Sequence, residues 1–254
     1  MTARPAIQAL DVSKAFSIPH ERRSRLKESF AHPFRRTTYE RNQALDRVTF
    51  DVAKGEFFGI IGPNGSGKST LLKILAHIYR ADAGSVRVNG RLSPFIELGV
   101  GFNYELSARE NVEINGMLLG LTRAELAERF DAIIEFAELP RFVDQQLKNF
   151  SSGMLLRLAY AIAIQVPFDI LLLDEVLAVG DERFREKCFA TFEEIRGKGK
   201  TVVFVSHDLG SITRFCDRAL CMSEGTIQRI GAAAEVVAEY CKQPVRGRAS
   251  YVSS

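Results

Sequence analysis

Hydrophobic residues follow two different spacings along the chain, and each spacing predicts one kind of secondary structure. Residues 6–12 and 44–61 are rich in alternating or continuous Val, Ile, Phe and Leu, which predicts strands, and Gly55 marks a turn before Glu56–Ile61. Further strands are predicted near 85–89 and 92–97, over Asp169–Leu173, over Thr201–Val205, and in two segments around 218–230 joined by Glu224-Gly225.

The segment from about residue 104 to 166 has helical spacing instead. Within it, Ser107 with Glu110 and Thr122 with Glu125 have the spacing of a capping box, which starts a helix. Other helices are predicted after the glycine-rich turn 62–67, over 182–196 and over 232–241. The order of elements therefore predicts one α/β domain, with a core and β subdomain formed by 6–102 and 167–241 and an inserted helical subdomain, 103–166.

Composition excludes several classes of protein. The chain has 254 residues, 46% of them hydrophobic, which is enough for one substantial domain. Its net charge of +3 is too small to indicate a nucleic-acid partner. The four cysteines form no CxxC pair, so neither a zinc site nor a disulfide framework is expected. The N-terminus lacks the apolar region of a signal peptide, and no segment approaches the roughly 20 apolar residues needed to cross a bilayer.

A phosphate-binding motif follows the strand Phe57–Ile61 and opens a helix, which is the context in which this motif is functional. Its glycines allow backbone N–H groups to face phosphates, and the helix N-terminus adds its positive dipole end. Lys68 would contact the β- and γ-phosphates, and Ser69 would offer a hydroxyl to Mg²⁺. The alternative is a chance glycine-rich turn. The motif G-x-x-x-x-G-K-[ST] consists here of Gly62, Pro63, Asn64, Gly65, Ser66, Gly67, Lys68, Ser69 and Thr70.

Three further polar residues follow strands of the predicted sheet. Asp174 and Glu175 end the apolar run 170–173, and His207 comes directly after Thr201–Val205. At the carboxyl ends of parallel strands, Asp174 would hold Mg²⁺ and Glu175 would polarise the water that attacks the γ-phosphate. His207 would bind a γ-phosphate oxygen or orient that water. Asp174 could instead cap a helix, and a lone histidine is more often structural.

Together these motifs resemble an ABC (ATP-binding cassette) transporter nucleotide-binding subunit over residues 6–241. The resemblance implies a P-loop NTPase (RecA-like) core, ATP and Mg²⁺ as ligands, and hydrolysis by a head-to-tail homodimer. The family's signature sequence, usually Leu-Ser-Gly-Gly-Gln, corresponds here to Phe150–Met154, which keeps Ser151 and Gly153. In the family it grips the γ-phosphate of ATP bound to the other subunit, from the mouth of a helix that we expect to begin near Met154.

The signature variant, together with the segments 97–102, Arg109-Glu110-Asn111 and 174–181, resembles one branch of the family. This branch contains the ATPases of O-antigen, capsule, teichoic-acid and cell-wall galactan exporters. The resemblance implies membrane permease subunits, two in number, a lipid-linked glycan as cargo, and a position at the cytoplasmic face of the cell membrane. Exporters of another lipid or a drug, and soluble ABC proteins without a membrane partner, are the alternatives. The branch's C-terminal carbohydrate-binding domain is not expected, because the chain ends soon after its last predicted helix.

The resemblance also assigns roles to Glu97, Asp181 and Phe16. Glu97 stands where the family has a glutamine that senses Mg²⁺, so a coupling loop is expected there, while the change from an amide to a carboxylate argues against direct metal contact. Asp181 matches a loop that crosses the dimer interface. The aromatic residue that stacks on adenine corresponds to Phe16, with Tyr39 as the fallback, although a buried aromatic in a β-hairpin is the commoner explanation.

Residues 17–42 interrupt the first strands with a basic insertion. Leu26, Phe30 and Phe34 recur every fourth residue among its arginines, which predicts a short amphipathic helix. Such a helix would rest on anionic lipid headgroups or on a membrane partner, or would be a solvated charged excursion. The last segment, 243–254, is small, polar and basic, and we expect it to be mobile.

Overall fold

The computed structural model describes residues 4–19, 39–95, 101–174 and 182–242. The predicted amphipathic helix around Leu26–Phe34 and the tail 243–254 lie outside the described residues.

An antiparallel sheet forms from β1 (Ile7–Pro19), β2 (Tyr39–Val52) and β4 (Ala83–Val88), in the order β2-β1-β4. β1 extends beyond the predicted 6–12, and β2 begins before residue 44, where the predicted strand segment 44–61 starts, so both strands continue into the predicted insertion. They do so because they pair with each other, Phe16 opposite Asn42 and Pro19 opposite Tyr39, so cross-strand bonds hold polar residues that have little strand preference of their own.

The second sheet has six strands in the order β5-β6-β7-β3-β8-β9. All neighbours are parallel except β8 and β9, which form a hairpin. Its central strands are continuous apolar runs because helices or the other sheet cover both faces. The strands are β3 (Phe57–Ile61), β5 (Leu92–Phe95), β6 (Ile170–Asp174), β7 (Thr201–Val205), β8 (Arg218–Ser223) and β9 (Thr226–Ala232).

Seven α-helices lie within the described residues, and six of them were predicted, singly or as part of the helical segment. The short helix after β7 was not predicted, although Asp208 caps it by accepting from Gly210 N–H (3.0 Å). The helices are α1 (Lys68–Leu75), α2 (Ala108–Leu118), α3 (Arg123–Ala137), α4 (Ser152–Gln165), α5 (Glu182–Gly197), α6 (Leu209–Phe215) and α7 (Ala233–Lys242).

Helices α2, α3 and α4 pack around a hydrophobic cluster of their own and form the predicted helical segment. Both predicted capping boxes are present, at Ser107 with Glu110 and at Thr122 with Glu125. Asn111 is fully buried on α2, where its amide donates to the carbonyl oxygens of Asn103 (2.9 Å) and Ser107 (2.8 Å) and accepts from Asn103 N–H (2.8 Å). The Arg109-Glu110-Asn111 segment therefore caps α2 and fastens the preceding loop to it.

Two clusters of buried side chains lie on opposite faces of the six-stranded sheet. One cluster packs the sheet against α4, α5, α6 and α7, and the other packs it against α1 and the antiparallel sheet. In the part of the chain that the structure describes, no helix has the length and hydrophobicity to cross a bilayer.

Asp169 fixes the start of β6 through two hydrogen bonds. Its carboxylate accepts from Arg91 N–H (2.9 Å) and from Lys200 Nζ (3.2 Å). The backbone bond from Arg91 first, and then Lys200, hold the pKa of Asp169 below its ordinary value of 3.8. A carboxylate whose pKa is lower in the folded state stabilises the fold above the unfolded-state pKa, and this stabilisation is lost as the pH falls through the folded-state pKa.

We therefore expect the Asp169→Asn variant to melt at a lower temperature than the wild type at neutral pH. The difference should shrink as the pH falls below the ordinary pKa of 3.8 and through the lower folded-state pKa, because the carboxylate then becomes protonated first in the unfolded and then in the folded protein. Thermal unfolding followed by circular dichroism over a pH series measures this. A melting difference that stays constant with pH would contradict the assignment.

Candidate active site

Three parallel strands end side by side at one edge of the six-stranded sheet. The order β6-β7-β3 places the last residues of these strands, Asp174, Val205 and Ile61, at the same edge. The register confirms the alignment, because Val205 lies opposite both Asp174 and Ile60. The phosphate-binding turn, Asp174 and His207 therefore lie at the ends of neighbouring strands, on one edge of the sheet.

The turn after β3 has the backbone that its glycines allow. Gly62, Gly65 and Gly67 have φ angles of 145°, 78° and 101°, in the region that residues with a Cβ rarely adopt. A Cβ on Gly62 would lie 2.2 Å from Met222 O, and a Cβ on Gly67 would lie 2.5 Å from Ala44 O. Glycine is thus required at these two positions both by conformation and by the strands packed behind the turn.

Lys68 lies at the start of α1 with only 5% of its surface exposed. Its Nζ donates to the carbonyl oxygens of Gly62 (2.9 Å) and Pro63 (3.0 Å), which holds the ammonium group over the turn. Ser66 is also buried, and its Oγ has no hydrogen-bond partner among the described residues. An ammonium group and an unsatisfied buried hydroxyl beside a helix N-terminus form a site suited to an anion.

Other residues of the motif are open to solvent. Pro63, Asn64, Gly65 and Ser69 are exposed and Thr70 is half-buried. Ser69 is on the first turn of α1, and Asp174 is half-buried at the end of β6. Glu175, which follows Asp174 in the sequence, lies outside the described residues.

His207 is exposed in the turn between β7 and α6. The turn is held from both sides, since Asp208 N–H donates to Ser206 Oγ (3.0 Å) and Ser211 Oγ donates to Asp208 (2.6 Å). The structure therefore places His207 at the sheet edge that also carries Lys68 and Asp174, on a turn of defined shape.

Burial keeps one neighbour of the site uncharged. Cys221 on β8 lies opposite Ile61, the residue before the phosphate-binding turn. Desolvation raises the pKa of the Cys221 thiol, so this group stays protonated at neutral pH and adds no negative charge beside Lys68.

Ser151 and Gly153 lie at the start of α4, in the helical segment. Ser151 is exposed and is the N-cap of α4, where its Oγ accepts from Met154 N–H (3.2 Å). The helix begins at Ser152, two residues earlier than the predicted Met154, because this cap satisfies an N–H group in its first turn. Among the described residues, a Cβ on Gly153 would come within 4 Å of Ser151 Oγ alone, at 3.8 Å, so there is room for a side chain there.

Phe16 is half-buried near the end of β1, and its ring packs edge to face on Tyr79, with the centroids 5.6 Å apart. Lys14 Nζ lies 5.6 Å from the Phe16 centroid and donates to Asp82 (2.7 Å). Tyr79 and Asp82 were not singled out from the sequence, because their role depends on contacts across sixty residues or more. Of Tyr39, the alternative adenine platform, the structure describes only the backbone.

Two other residues predicted for the site, Glu97 and Asp181, lie outside the described residues. The segment that follows Glu97 is described from Gly101 onward. It is tied to α2, since Asn115 Nδ2 donates to Gly101 O (3.3 Å).

The chain is similar to several known proteins. A family model described as "ABC transporter" matches residues 45–178. Two relatives are O-antigen export system ATP-binding proteins named RfbB. The protein from Myxococcus xanthus is 48% identical over 78% of this chain and 45% of its own length. The protein from Klebsiella pneumoniae is 41% identical over 93% of this chain and 97% of its own length. The chain thus spans less than half of the first relative and nearly all of the second.

A solved structure is similar in fold. It is described as a dimeric, post-hydrolysis state of an ATP-binding cassette bound to ADP and Pi. It superposes with a TM-score of 0.73 at 24% identity, over 89% of this chain and 98% of that chain. At this identity the likeness establishes the fold.

Proposed function

Because the chain belongs to the ABC transporter family, we propose that it is the ATP-hydrolysing motor subunit of an exporter that moves a lipid-linked polysaccharide across the cytoplasmic membrane. The observation that carries the ATPase proposal is the turn 62–67, where the backbone, the Lys68 ammonium group and the unsatisfied Ser66 hydroxyl come together. The export proposal is supported by the two relatives, whose names describe O-antigen export.

In this proposal the turn 62–67 binds the phosphates of ATP. Its N–H groups and the start of α1 face the β-phosphate, and Lys68 moves from the carbonyl oxygens of Gly62 and Pro63 to the β- and γ-phosphates. Ser66 Oγ donates to a phosphate oxygen, which satisfies a buried group that otherwise has no partner among the described residues. The ring of Phe16 supports the adenine.

The donors at the sheet edge also suit Mg²⁺. Ser69 offers a hydroxyl and Asp174 a carboxylate, which are the hard oxygen ligands that this ion prefers. When bound, Mg²⁺ neutralises charge that develops on the β- and γ-phosphate oxygens. The residues that would hold it are therefore Ser69, from the start of α1, and Asp174, from the end of β6.

Hydrolysis is proposed to use two groups, Glu175 and His207. Glu175 accepts a proton from water as the water oxygen bonds to the γ-phosphorus, and the bond between that phosphorus and the bridging oxygen of ADP breaks. His207 donates to a γ-phosphate oxygen or orients the water. The products are ADP and inorganic phosphate.

We further propose that two copies enclose ATP between them, head to tail. Ser151 and Gly153 are available for contact at the start of α4, and packing among the described residues does not demand glycine at 153. A close approach by the phosphates bound to the partner copy would explain both features. Asp181 would lie at the same interface, and the related solved cassette is described as dimeric.

The membrane components belong to the proposal as well. Two copies of the chain would act on two permease subunits at the cytoplasmic face, through the segment that contains Glu97. In this scheme 6–102 and 167–241 form the core and 103–166 the helical subdomain that moves with the signature serine.

The export proposal is tested in cells that lack this chain. Without it, lipid-linked glycan should accumulate on the cytoplasmic side, and the wild-type chain should restore surface glycan whereas the Lys68→Ala variant should not. Surface labelling of glycan before and after lysis measures the distribution. Normal surface glycan in the deletion strain would refute the proposal.

The dimer proposal predicts that Ser151 acts on the partner's nucleotide. We expect Ser151→Ala to bind a non-hydrolysable ATP analogue like the wild type but to dimerise about tenfold more weakly, because one charge-assisted hydrogen bond per site is lost. Titration calorimetry and sedimentation velocity measure the two quantities.

Ser107→Ala is the matched control, since it removes the N-cap serine of α2 and leaves the site untouched. Both variants should lose stability through the missing cap, but only Ser151→Ala should impair dimerisation. Equal dimerisation of the two variants would remove Ser151 from the interface.

A further inference from the structure

The turn of the β8–β9 hairpin has a backbone that only a few residue types adopt easily. Glu224 and Gly225 have φ angles of 49° and 75°, both left-handed, as expected for a two-residue hairpin turn. Ser223 and Thr226 pair on either side, and Thr226 Oγ1 donates to Ser223 O (2.9 Å). The turn is therefore held in one shape.

This hairpin turn is bonded directly to the phosphate-binding turn. Gly225 N–H donates to Ser66 O (3.1 Å), and Gly225 O accepts from Asp46 N–H of β2 (2.9 Å). The link joins positions about 160 residues apart in the sequence, so it is a product of the tertiary fold. Through it, the hairpin and β2 together support the back of the phosphate-binding turn.

The bond to Ser66 determines the direction of a neighbouring N–H group. The Ser66–Gly67 peptide is planar and trans, so its carbonyl and its N–H point in opposite directions. Because the Ser66 carbonyl is held toward Gly225, the Gly67 N–H points away from the hairpin. Amides of this turn can bind phosphate only when they face away from the protein packed behind them.

Packing leaves little room for this arrangement to change. The carbonyl oxygen of Ala44 lies close to both Gly67 and Gly225. A Cβ added to Gly67 would be 2.5 Å from this oxygen, and a Cβ added to Gly225 would be 2.8 Å from it. A side chain at 225 would thus push the hairpin turn away from β2. The shift would lengthen the bond from Asp46 N–H to Gly225 O, and we expect the bond from Gly225 N–H to Ser66 O to weaken with it because both bonds are made by the same residue.

From this geometry we propose that Gly225 is a positioning residue for nucleotide binding, since its N–H keeps the Ser66–Gly67 peptide oriented toward the phosphates. The inference rests on the proposed function of the turn 62–67. It adds a residue far away in the sequence that contacts no substrate and acts through the backbone of Ser66.

The test compares two glycines with similar backbones but different surroundings. Gly225 has φ +75° and a Cβ there would meet Ala44 O at 2.8 Å, whereas Gly199 has φ +63° and a Cβ there would have no described atom within 4 Å. Gly199→Ala therefore reproduces the backbone strain without touching the phosphate-binding turn. We expect Gly225→Ala to weaken the binding of ADP with Mg²⁺ by about tenfold, and Gly199→Ala to leave it unchanged.

The affinity for ADP is measured by titration calorimetry, and stability by thermal unfolding, for the wild type and both variants. Equal affinities in all three, or equal losses in both variants, would overturn the inference, because the effect would then be absent or a general result of strain. A wild type that does not bind ADP would instead refute the proposed function.

If Gly225→Ala does not fold, Thr226→Val decides the question. This substitution preserves shape but removes the hydroxyl that donates to Ser223 O across the hairpin turn and accepts from Gln228 Nε2 (2.7 Å). We expect it to fold and to weaken ADP binding by about threefold. Wild-type affinity in this variant would overturn the inference.

Discussion

Replacing Lys68 with alanine is expected to lower the rate of ATP hydrolysis at least about a hundredfold and to weaken ATP binding. Lys68 is buried at the start of α1, and its ammonium group is held over the turn by the carbonyl oxygens of Gly62 and Pro63. Without it, the phosphates would enter a site that keeps its dipole and N–H groups but lacks the point charge that offsets theirs. Phosphate release from the chain together with its permease, and calorimetric ATP titration, measure both effects.

Lys73→Ala is a suitable control for this prediction. Lys73 is a half-buried lysine of the same helix, and its Nζ lies 5.4 Å from the Tyr79 ring centroid. The control also replaces a lysine of α1 with alanine, but at a position away from the turn 62–67. We expect its hydrolysis rate to stay within about threefold of the wild type. Comparable losses in the two variants would mean that net charge, not position, accounts for the effect.

The parts of the site that could be predicted are those formed by residues close together in the sequence. The glycines, Lys68 and Ser69 follow one another along a strand, a turn and the start of a helix, so a short pattern specifies their geometry. The placement of Asp174 and His207 could be predicted for a related reason. Each follows an apolar strand, and the carboxyl ends of parallel strands meet at one edge of a sheet.

The contacts that support the phosphate-binding turn from behind could not be predicted from short sequence patterns. Met222, Ala44 and Gly225 contact the turn from β8, β2 and the β8–β9 hairpin. These contacts are made by backbone atoms, which carry no residue-specific signal, and they join segments that are distant in the sequence. Glu224-Gly225 could be recognised as a turn but not as a neighbour of Ser66.

Element boundaries were hardest to predict where tertiary contacts override local preference. β1 and β2 continue into the polar residues of the predicted insertion because each strand supplies hydrogen bonds to the other. Helix α6 was missed because a seven-residue element has too few positions to show helical spacing. The start of α4 was placed too late, since the capping role of Ser151 outweighs the weak helix preference of Gly153.

The Glu175→Gln variant is expected to separate ATP binding from hydrolysis. Glutamine has nearly the same shape as glutamate but cannot accept the proton of the attacking water. Because Lys68, Ser66 and Ser151 are unchanged, the variant should bind ATP and form a stable dimer, while its hydrolysis rate falls at least about a hundredfold. Single-turnover phosphate release and sedimentation velocity with ATP and Mg²⁺ measure the two properties.

Glu182→Gln makes the same chemical change seven residues later, at an exposed position in the first turn of α5. It should hydrolyse ATP like the wild type and should not accumulate as a dimer. Lys68→Ala should show the opposite pattern. It should bind ATP weakly and should therefore form little dimer. In the proposed mechanism the two defects differ because Lys68 neutralises charge that ATP carries in its ground state, whereas Glu175 acts only on the water during the reaction. Normal turnover in Glu175→Gln would assign proton acceptance to another group, and His207, which follows the neighbouring strand β7, is a candidate.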